Sequence, residues 1–534
     1  MNAPIAPDLS LQSQFAEIVG EERVSADEDQ RKLFSEDVWS AGEYVTRLIV
    51  APRTVEEISA VMRLARKLGL TVVPRGAGMS YTSGYLPPDG NTISLDMAGM
   101  DRVIDVSPED MTVTVEAGCS WLKLNQALDK HGLRTPFWGP MSGIASTIGG
   151  GLSNLNAMFG AGHHGTSSES VIALTVVLAD GSIIRTGARG PDGNTPFYRH
   201  HGPDLAGIFC GDAWAFGIKA VVTFRLMRKP AFEDYASFSF KTGQDMLKAL
   251  AEMARAGIAC ETCGFDPGLT KVRMRRMSLM SDIKTLGKVV GKQGNVAKGL
   301  FSAAKIALGG RNFIEEEEYP LHIIAEGRSR EGVAQDIREA REIAKRFDGV
   351  EIENTIAKVI RADPFPVANS VLGPEGESWT PVHGHVSLSN APLFFTEVRA
   401  LFDSMADEFA QYRVHTGFLF TSLSTNAITI EPVFYWPKPY RPIHQTMVEP
   451  SHLARLPRLG ANAQDNADQA TAIVARAREG VKSIARKFGA AHFQIGRSYD
   501  YRGSRDETSK ALLDRIKQFA DPDGKLNTGA LGFE

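Results

Sequence analysis

The first third of the chain alternates short apolar runs with segments of helical periodicity. Val45–Val50 is a strand-type run that ends before Pro52, and Thr54 followed by Glu57 has the spacing of a helix N-cap. Apolar residues then recur at helical spacing until Gly69, where we expect the helix to end. Other strand-type runs are Leu70–Val73, Thr92–Leu95, Met111–Glu116, Val171–Leu178 and Ser182–Thr186. This alternation predicts an α+β fold.

The pattern changes after Pro230, where strands alternate with longer helices. We predict helices at Val333–Phe347, Phe394–Phe409 and Ser509–Phe519. Because 534 residues exceed what one compact core normally holds, more than one domain is expected. We place the domains at 1–230 and 231–500, followed by a C-terminal segment, 501–534.

Composition excludes several classes of protein. With 43% hydrophobic residues, 23% charged residues and a net charge of −4, the chain is an ordinary globular protein without a basic surface for nucleic acid. Four cysteines do not make a disulfide framework at this length. The N-terminal sequence lacks a basic region followed by an apolar run, and no stretch approaches the roughly 18 apolar residues of a membrane span. We expect a cytoplasmic protein.

One stretch is basic and polar. Met274–Arg311 carries lysines at 284, 288, 292, 298 and 305, with apolar residues between them. Such a stretch is typical either of a solvated insertion or of peripheral membrane contact. A homodimer is also left open.

Two glycine-rich segments indicate a ligand site. The first, Pro74–Ser80, follows a predicted strand, and its glycines let main-chain amides approach a phosphate closely. A Rossmann loop would have to open a helix, which Tyr81–Asn91 cannot form because it contains Pro87-Pro88. The second, Pro140–Asn156, is rich in glycine and small hydroxyl residues, with apolar residues throughout. It is typical of the lining of an extended polar ligand.

The order of these motifs resembles the vanillyl-alcohol oxidase/p-cresol methylhydroxylase superfamily of FAD enzymes, with the D-lactate dehydrogenase-like branch the more similar in the N-terminal half. The resemblance spans Val45–Pro230 and resumes near the C-terminus. Further matching pieces are Val115–Gly118, Val176–Ser182, Gly202–Leu205, Phe216–Ile218 and Asp521–Gly529. It implies a two-subdomain FAD-binding domain, an α+β cap domain at 231–500 and a tail that returns to the FAD domain.

The resemblance also implies which residues hold FAD. The pyrophosphate group is expected at Pro74, Arg75, Gly76, Ala77, Gly78, Met79 and Ser80. The phosphates and the flavin are expected along Pro140, Ser142, Ser146, Thr147, Gly150 and Ser153, and the remaining contacts at Gly165, Val171, Ile218 and Asn527. Members with a flavin tethered at the first loop have a histidine where this chain has Met79, so we expect non-covalent FAD.

Two polar clusters are candidates for catalysis in the cap and beyond it. His383 and His385 are spaced to lie on one face of a strand, and histidines can exchange protons near neutral pH. The segment from His492 to Arg502 places arginine beside tyrosine, a combination that suits a substrate anion. The candidates are His383, His385, His492, Arg497, Tyr499, Tyr501 and Arg502.

Several functions follow from the resemblance. The main one is hydride transfer from the CH–OH group of a 2-hydroxy acid to the flavin N5 atom, with oxygen, a quinone or a cytochrome as the electron acceptor. The alternatives are oxidation of para-substituted phenols or aryl alcohols, and a flavin-dependent transferase without net redox change. A flavoprotein that only passes electrons is a non-enzymatic alternative. We predict no metal site, because Pro392 and Phe493 stand where the hydroxy-acid branch has histidines.

Overall fold

A computed structural model of the chain describes residues 9–276, 318–456 and 462–534. The chain forms two compact units. The first unit contains Met1–Ala157, Thr166–Lys229 and Phe493–Glu534, and the second contains Met158–Gly165 and Pro230–His492. The chain therefore enters the second unit briefly at Met158–Gly165, enters it again at Pro230, and returns to the first unit at Phe493. Most of the basic stretch Met274–Arg311 lies outside the described residues.

The strands are short in the first unit and longer in the second. They are β1 Val24–Ser25, β2 Ile49–Val50, β3 Thr71–Arg75, β4 Thr92–Asp96, β5 Val103–Ser107, β6 Thr112–Glu116, β7 Leu133–Arg134, β8 Val171–Val177, β9 Ile183–Arg185, β10 Ala188–Arg189, β11 Pro196–Tyr198, β12 Ile218–Arg225, β13 Met227–Arg228, β14 Phe232–Phe240, β15 Glu261–Phe265, β16 Tyr319–Gly327, β17 Val350–Ile352, β18 Ser378–Pro381, β19 Gly384–Ser387, β20 His415–Leu423 and β21 Ala427–Trp436.

Helices alternate with these strands. They are α1 Leu9–Val19, α2 Glu28–Phe34, α3 Val55–Lys67, α4 Trp121–Asp129, α5 Ile148–Asn154, α6 Ala161–His164, α7 Leu205–Ile208, α8 Gly243–Ala256, α9 Pro267–Arg276, α10 Arg330–Arg346, α11 Thr355–Ala362, α12 Ala391–Ser404, α13 Ala406–Gln411, α14 Pro442–Met447, α15 Pro450–Leu453, α16 Asn462–Lys487 and α17 Glu507–Ala520.

The first unit contains two main sheets. One has the order β1-β2-β4-β3, with β3, β4 and β2 parallel, and the other is antiparallel with the order β5-β6-β12-β8-β9. Phe15 of α1 and Val61 of α3 share one buried core with Ile93 of β4, and none of these side chains is exposed to solvent. This packing supports the strand β3, which leads into the glycine-rich loop.

The C-terminal tail joins the first sheet beside β3. The Val72 amide donates to the Lys525 carbonyl at 2.8 Å, and the Asn527 amide donates to the Val72 carbonyl at 2.9 Å. Beneath this turn, the buried Lys517 ammonium donates to the Leu526 carbonyl and to Asp521. The tail is thus fixed next to the strand that carries Pro74 and Arg75.

The second unit is built on one antiparallel sheet. Its strands follow the order β17-β14-β16-β15-β20-β21-β18, and β19 pairs with β21 further along the same edge. Phe395 and Phe402 of α12 pack against Phe418 of β20, with ring centroids 5.0 and 5.3 Å apart. Helices and sheet together make the second unit α+β, and the α+β fold class is confirmed.

Most predicted elements are present, and two differ for clear reasons. The run Val45–Val50 is a strand only at Ile49–Val50, because the Thr46 amide donates to the Ser35 hydroxyl instead of to a strand carbonyl. The helix predicted at Phe394–Phe409 is two helices, since the backbone leaves helical geometry at Met405 (φ −107°, ψ 6°).

Candidate active site

The loop Gly76–Ser80 presents a row of main-chain amides. None of the amide N–H groups in this loop donates a hydrogen bond to any other described residue. The residues that carry these amides are Gly76, Ala77, Gly78, Met79 and Ser80. Gly78 and Ser80 are nevertheless buried, and unpaired buried amides are rare in folded proteins. Successive free N–H groups of this kind are a binding surface for a phosphate or another anion.

The carbonyl side of the same loop is held by the protein. The Tyr85 hydroxyl donates to the Gly78 carbonyl at 2.6 Å, and the Val38 amide donates to the Ser80 carbonyl at 3.1 Å. The Arg75 guanidinium lies 4.2 Å from the centre of the Phe34 ring, directly under the loop. A side chain at Gly78 would place Cβ 2.3 Å from this guanidinium, and φ there is +73°. Glycine is therefore required at Gly78, and the loop has a fixed shape.

The second predicted segment folds into a turn followed by α5. The Ser142 and Ser146 hydroxyls lie 2.9 Å apart, and the Ser146 amide donates to the Ser142 carbonyl. Thr147 caps α5, because its Oγ1 accepts from the Gly150 amide at 3.3 Å. The turn leaves Ser142 and Ser146 half-buried. Small hydroxyl groups are thereby presented at one end of a short helix.

The two glycine-rich segments meet in the first unit. A Cβ placed on Gly76 would lie 2.2 Å from Thr147 Oγ1, so the Gly76 backbone lies directly against the Thr147 side chain. The structure therefore brings together the first and second predicted cofactor segments. Both could contact one extended ligand.

Gln494 joins both segments, although the sequence did not single it out. Its amide donates to the Asn154 carbonyl at 2.6 Å, and its side-chain Nε2 donates to the Tyr81 hydroxyl at 2.7 Å. The Ser80 hydroxyl donates to its Oε1 at 3.3 Å. Its φ of +51° is uncommon for a residue other than glycine. The only sequence signal was its place between His492 and Arg497.

Asn527 and Arg497 hold the tail in place. The Arg497 guanidinium donates to the carbonyls of Thr528, Ser83 and Leu86 and to the Asn527 Oδ1, at 2.6 to 2.9 Å. The Asn527 Nδ2 donates to the carbonyls of Gly84 and Ala213. Burial lowers the pKa of Arg497 to about 10. Because these contacts occupy four of its five N–H donors, the bidentate grip on a substrate anion that we predicted for Arg497 is not available.

Arg502 also has a partner in the protein. Its Nε and Nη2 donate to both carboxylate oxygens of Asp514 at 2.7 and 2.8 Å, and this pair raises the pKa of Arg502. The predicted role for Arg502 as the substrate-binding cation therefore finds no support in its geometry. Tyr499 is buried, and Tyr501 is half-buried with the Arg505 guanidinium 5.2 Å from its ring centre.

The remaining predicted cofactor residues are distributed over several elements. Pro140 begins the turn before α5, and the Ser153 hydroxyl is buried and donates to the Gly149 carbonyl at 2.8 Å. Val171 and Ile218 begin the strands β8 and β12. Gly165 belongs to the second unit, and its backbone has a φ of +72°. Within the first unit, Val171 and Ile218 lie on adjacent strands.

The three predicted histidines lie together in the second unit. The Nε2 of His383 is 3.1 Å from Oε2 of Glu431, and His383 itself is fully buried. The main chain of His385 pairs with Ala491, and Nδ1 of His385 lies 2.8 Å from the Thr429 hydroxyl. His492 Nδ1 lies 2.5 Å from the His383 carbonyl and donates to it. Glu431 and Thr429 are partners that the sequence did not reveal.

These histidines differ in their electrostatic environment. Burial lowers the pKa of His385 to about 3 and that of His492 to about 4, so both are neutral near pH 7. His383 instead has a carboxylate partner, since its Nε2 lies 3.1 Å from Oε2 of Glu431. No group of three or more possible metal ligands occurs among the residues described.

Comparisons with known proteins agree with this geometry. Residues 46–187 match the family described as FAD binding domain. D-lactate dehydrogenase [cytochrome] 1 of Saccharomyces cerevisiae is 33% identical over 214 residues, which are 40% of this chain and 35% of that protein. Glycolate oxidase subunit GlcD of Bacillus subtilis is 29% identical over 220 residues, 41% of this chain and 45% of that protein. The matches thus span less than half of these relatives.

Solved structures share the fold over almost the whole chain. P-cresol methylhydroxylase has a TM-score of 0.73 at 15% identity, covering 100% of this chain and 98% of that chain. Alkyldihydroxyacetonephosphate synthase has a TM-score of 0.70 at 16% identity, covering 99% and 86%. No helix among the described residues is both long and apolar enough to cross a membrane.

The free amides of Gly76–Ser80, held beside Thr147, suit the diphosphate of FAD, and residues 46–187 match the domain that binds it. FAD is therefore confirmed as the cofactor. The chain therefore contains an FAD-binding domain at residues 46–187 and shares the fold of p-cresol methylhydroxylase.

Proposed function

We propose that the protein is an FAD-dependent oxidoreductase that removes a hydride from the CH–OH group of a small 2-hydroxy acid. The observation that carries the proposal is the row of free amides at Gly76–Ser80 beside Thr147, which gives the chain a site for the FAD diphosphate. The substrate class is supported by the similarity to D-lactate dehydrogenase and to a glycolate oxidase subunit.

The loops of the first unit would hold the cofactor. Gly76–Ser80 would bind the diphosphate through main-chain N–H groups, and Ser142 and Ser146 would add hydroxyl donors. FAD, when bound, supplies the two-electron acceptor at its N5 atom. Since Met79 has no nucleophilic nitrogen, this loop forms no covalent bond to the flavin.

The second unit would handle the proton of the substrate hydroxyl. We assign His383 as the base, because Glu431 lies 3.1 Å away and stabilises the charge that the imidazole gains with the proton. His385 and His492, which stay neutral near pH 7, would form the surrounding hydrogen-bonding framework. In particular, the bond from His492 to the His383 carbonyl fixes the main chain of the proposed base.

Anaerobic reduction tests the substrate class. The full-length protein loaded with FAD is mixed with D-lactate, L-lactate and glycolate, and separately with p-cresol, 4-ethylphenol and vanillyl alcohol. We expect a 2-hydroxy acid to bleach the visible absorbance of the flavin within the mixing experiment. Bleaching by the phenols alone would replace the hydroxy acid with the phenol alternative, and no bleaching by either set would favour a flavoprotein that only passes electrons.

A further inference from the structure

We infer that the second unit carries a binding site for a small organic carboxylate, in a cleft between α9, α12, α13 and the start of β20. The cleft has a volume of about 330 Å³, and every residue that lines it belongs to the second unit. This volume lies at the small end of the usual range for ligand pockets, roughly 300–1,000 Å³. Neither the histidine cluster nor the glycine-rich loops contribute to its walls.

Three basic side chains line the cleft: Lys271, Arg399 and His415. Among the residues that the structure describes, neither Lys271 nor His415 makes a side-chain hydrogen bond or ion pair. The closest carboxylate oxygens to the Arg399 guanidinium are those of Asp266 at 3.5 Å and Asp403 at 3.7 Å. Both distances are too long for a good charge-assisted hydrogen bond, which normally measures about 2.7–2.9 Å.

The guanidinium of Arg399 lies further from its carboxylate partners than those of two other arginines in the same unit. Arg341 grips both oxygens of Glu351 at 2.9 to 3.0 Å, and the buried Arg361 donates to both oxygens of Glu261 at 3.0 Å. The donors of those two guanidinium groups are therefore occupied at short range, whereas Arg399 makes only a long hydrogen bond to Asp266 at 3.5 Å and an ion pair with Asp403 at 3.7 Å. A carboxylate is the group whose shape matches the planar fork of N–H donors on a guanidinium.

The two acidic neighbours do not complete the site. Asp266 is fully buried, and its Oδ1 accepts from the amides of Leu269 and Phe418 at 2.9 and 2.7 Å. The main chain therefore already stabilises this carboxylate. The Asp403 side chain is 71% exposed, so its charge is screened by water at the rim. Both carboxylates therefore lie too far from Arg399 to occupy its N–H donors at short range.

The rest of the wall is apolar and rigid. Phe402, Phe409 and Val414 line the cleft, and the two phenylalanine rings meet edge to face with centroids 5.9 Å apart. A Cβ on Gly268 would come within 2.4 Å of the Thr416 carbonyl, so α9 is packed directly against β20. A preformed wall of this kind suits a ligand with an apolar body attached to its carboxylate, such as an aromatic or branched aliphatic acid.

Calorimetric titration of the full-length, FAD-loaded protein tests the site, with benzoate as the probe and benzamide as its neutral counterpart. We expect benzoate to bind, and Arg399→Gln to weaken that binding at least tenfold through loss of the guanidinium fork. Lys271→Gln, at an exposed position that carries little risk to folding, should weaken it as well. The matched control Arg338→Gln, on an exposed face of α10, should leave it unchanged.

Any other result would overturn the inference. Benzoate that binds equally well to Arg399→Gln and Lys271→Gln occupies a different site, and no binding means that the cleft takes no such anion. Benzamide or inorganic phosphate binding as tightly as benzoate would show that the carboxylate or the apolar wall plays no part. Because flavin reduction is not the readout, these outcomes are independent of the proposed hydroxy-acid activity.

Discussion

Gly76 and Thr147, which are 71 positions apart in the chain, touch so closely that a Cβ on Gly76 would lie 2.2 Å from Thr147 Oγ1. That oxygen cannot simply move away, because it accepts the capping hydrogen bond from Gly150. The contact sets the distance between the free amides of the first loop and the hydroxyl-rich turn of the second. It is the place where a small change in the backbone should affect cofactor binding most.

Replacing Gly76 with alanine should therefore weaken FAD binding at least tenfold, because the loop must move away from Thr147 or the α5 cap must break. Equilibrium titration of apoprotein with FAD, followed by flavin fluorescence, measures the change in Kd. Gly190→Ala is the matched control, since a Cβ there would meet its nearest atom at an ordinary 3.5 Å. Equal affinities for Gly76→Ala and the wild type would show that this loop does not contact FAD.

The pairing of His383 with Glu431 makes a second prediction. Glu431→Gln keeps the hydrogen bond but removes the negative charge, so we expect kcat to fall about 10- to 100-fold while KM and FAD affinity stay the same. Steady-state kinetics with the substrate identified by flavin bleaching measure this change. Glu351→Gln removes an exposed carboxylate in the same unit and should leave kcat unaltered. A kcat within twofold of the wild type for Glu431→Gln would exclude the proposed base.

Arg497 and Arg502 should respond differently to the same substitution. Arg497→Ala removes four hydrogen bonds of a buried cation and leaves carbonyls unpaired, so the free energy of unfolding should fall by about 3 kcal/mol or more. Arg502→Ala breaks one solvent-exposed ion pair and should leave the free energy of unfolding nearly unchanged. Urea denaturation compares the two variants, and hydrogen exchange of the 525–527 amides reports the tail. Equal free energies of unfolding for the two variants would contradict the role of Arg497 in holding the tail.

Buried histidines should make the second unit sensitive to acid. Burial lowers the pKa of His444 from 6.5 to about 4, and His385 and His492 are lowered in the same direction. The unfolded chain thus binds more protons than the native protein, so stability is complete above about pH 6.5 and is lost as the pH falls towards about 4. His444→Gln should remove about 1 kcal/mol of this loss at about pH 5.5. Thermal denaturation of the wild type and of His444→Gln at about pH 7.5 and 5.5 tests this prediction. An identical loss of stability on acidification in the two proteins would refute it.

The sequence carries a clearer signal for the glycine-rich loops than for the partners of the candidate catalytic residues. Glycines such as Gly78 leave a signal because their backbone geometry excludes other residues, and the strand before the loop is visible as an apolar run. The ends of helices and strands were predicted to within a few residues for the same local reasons. Thr46 was missed, since its amide donates to the hydroxyl of Ser35, a partner that folding brings to it.

The partners of the charged candidates could not be read from the chain. Glu431 reaches His383 only through the pairing of β21 with the strands beside it, and that register depends on the whole sheet. Arg497 and Arg502 look equivalent in sequence, yet one meets main-chain carbonyls and the other an aspartate. Gln494 carried no signal because its role arises from two loops that fold together around it.

Titration of the full-length apoprotein with FAD tests the cofactor site most directly. We expect one FAD per chain, competition by ADP for the diphosphate-binding amides of Gly76–Ser80, and complete release of the flavin into the supernatant on acid precipitation, since Met79 provides no tether. Protein that stays colourless with excess FAD would contradict the site itself. Flavin retained in the acid-precipitated pellet would contradict the non-covalent attachment.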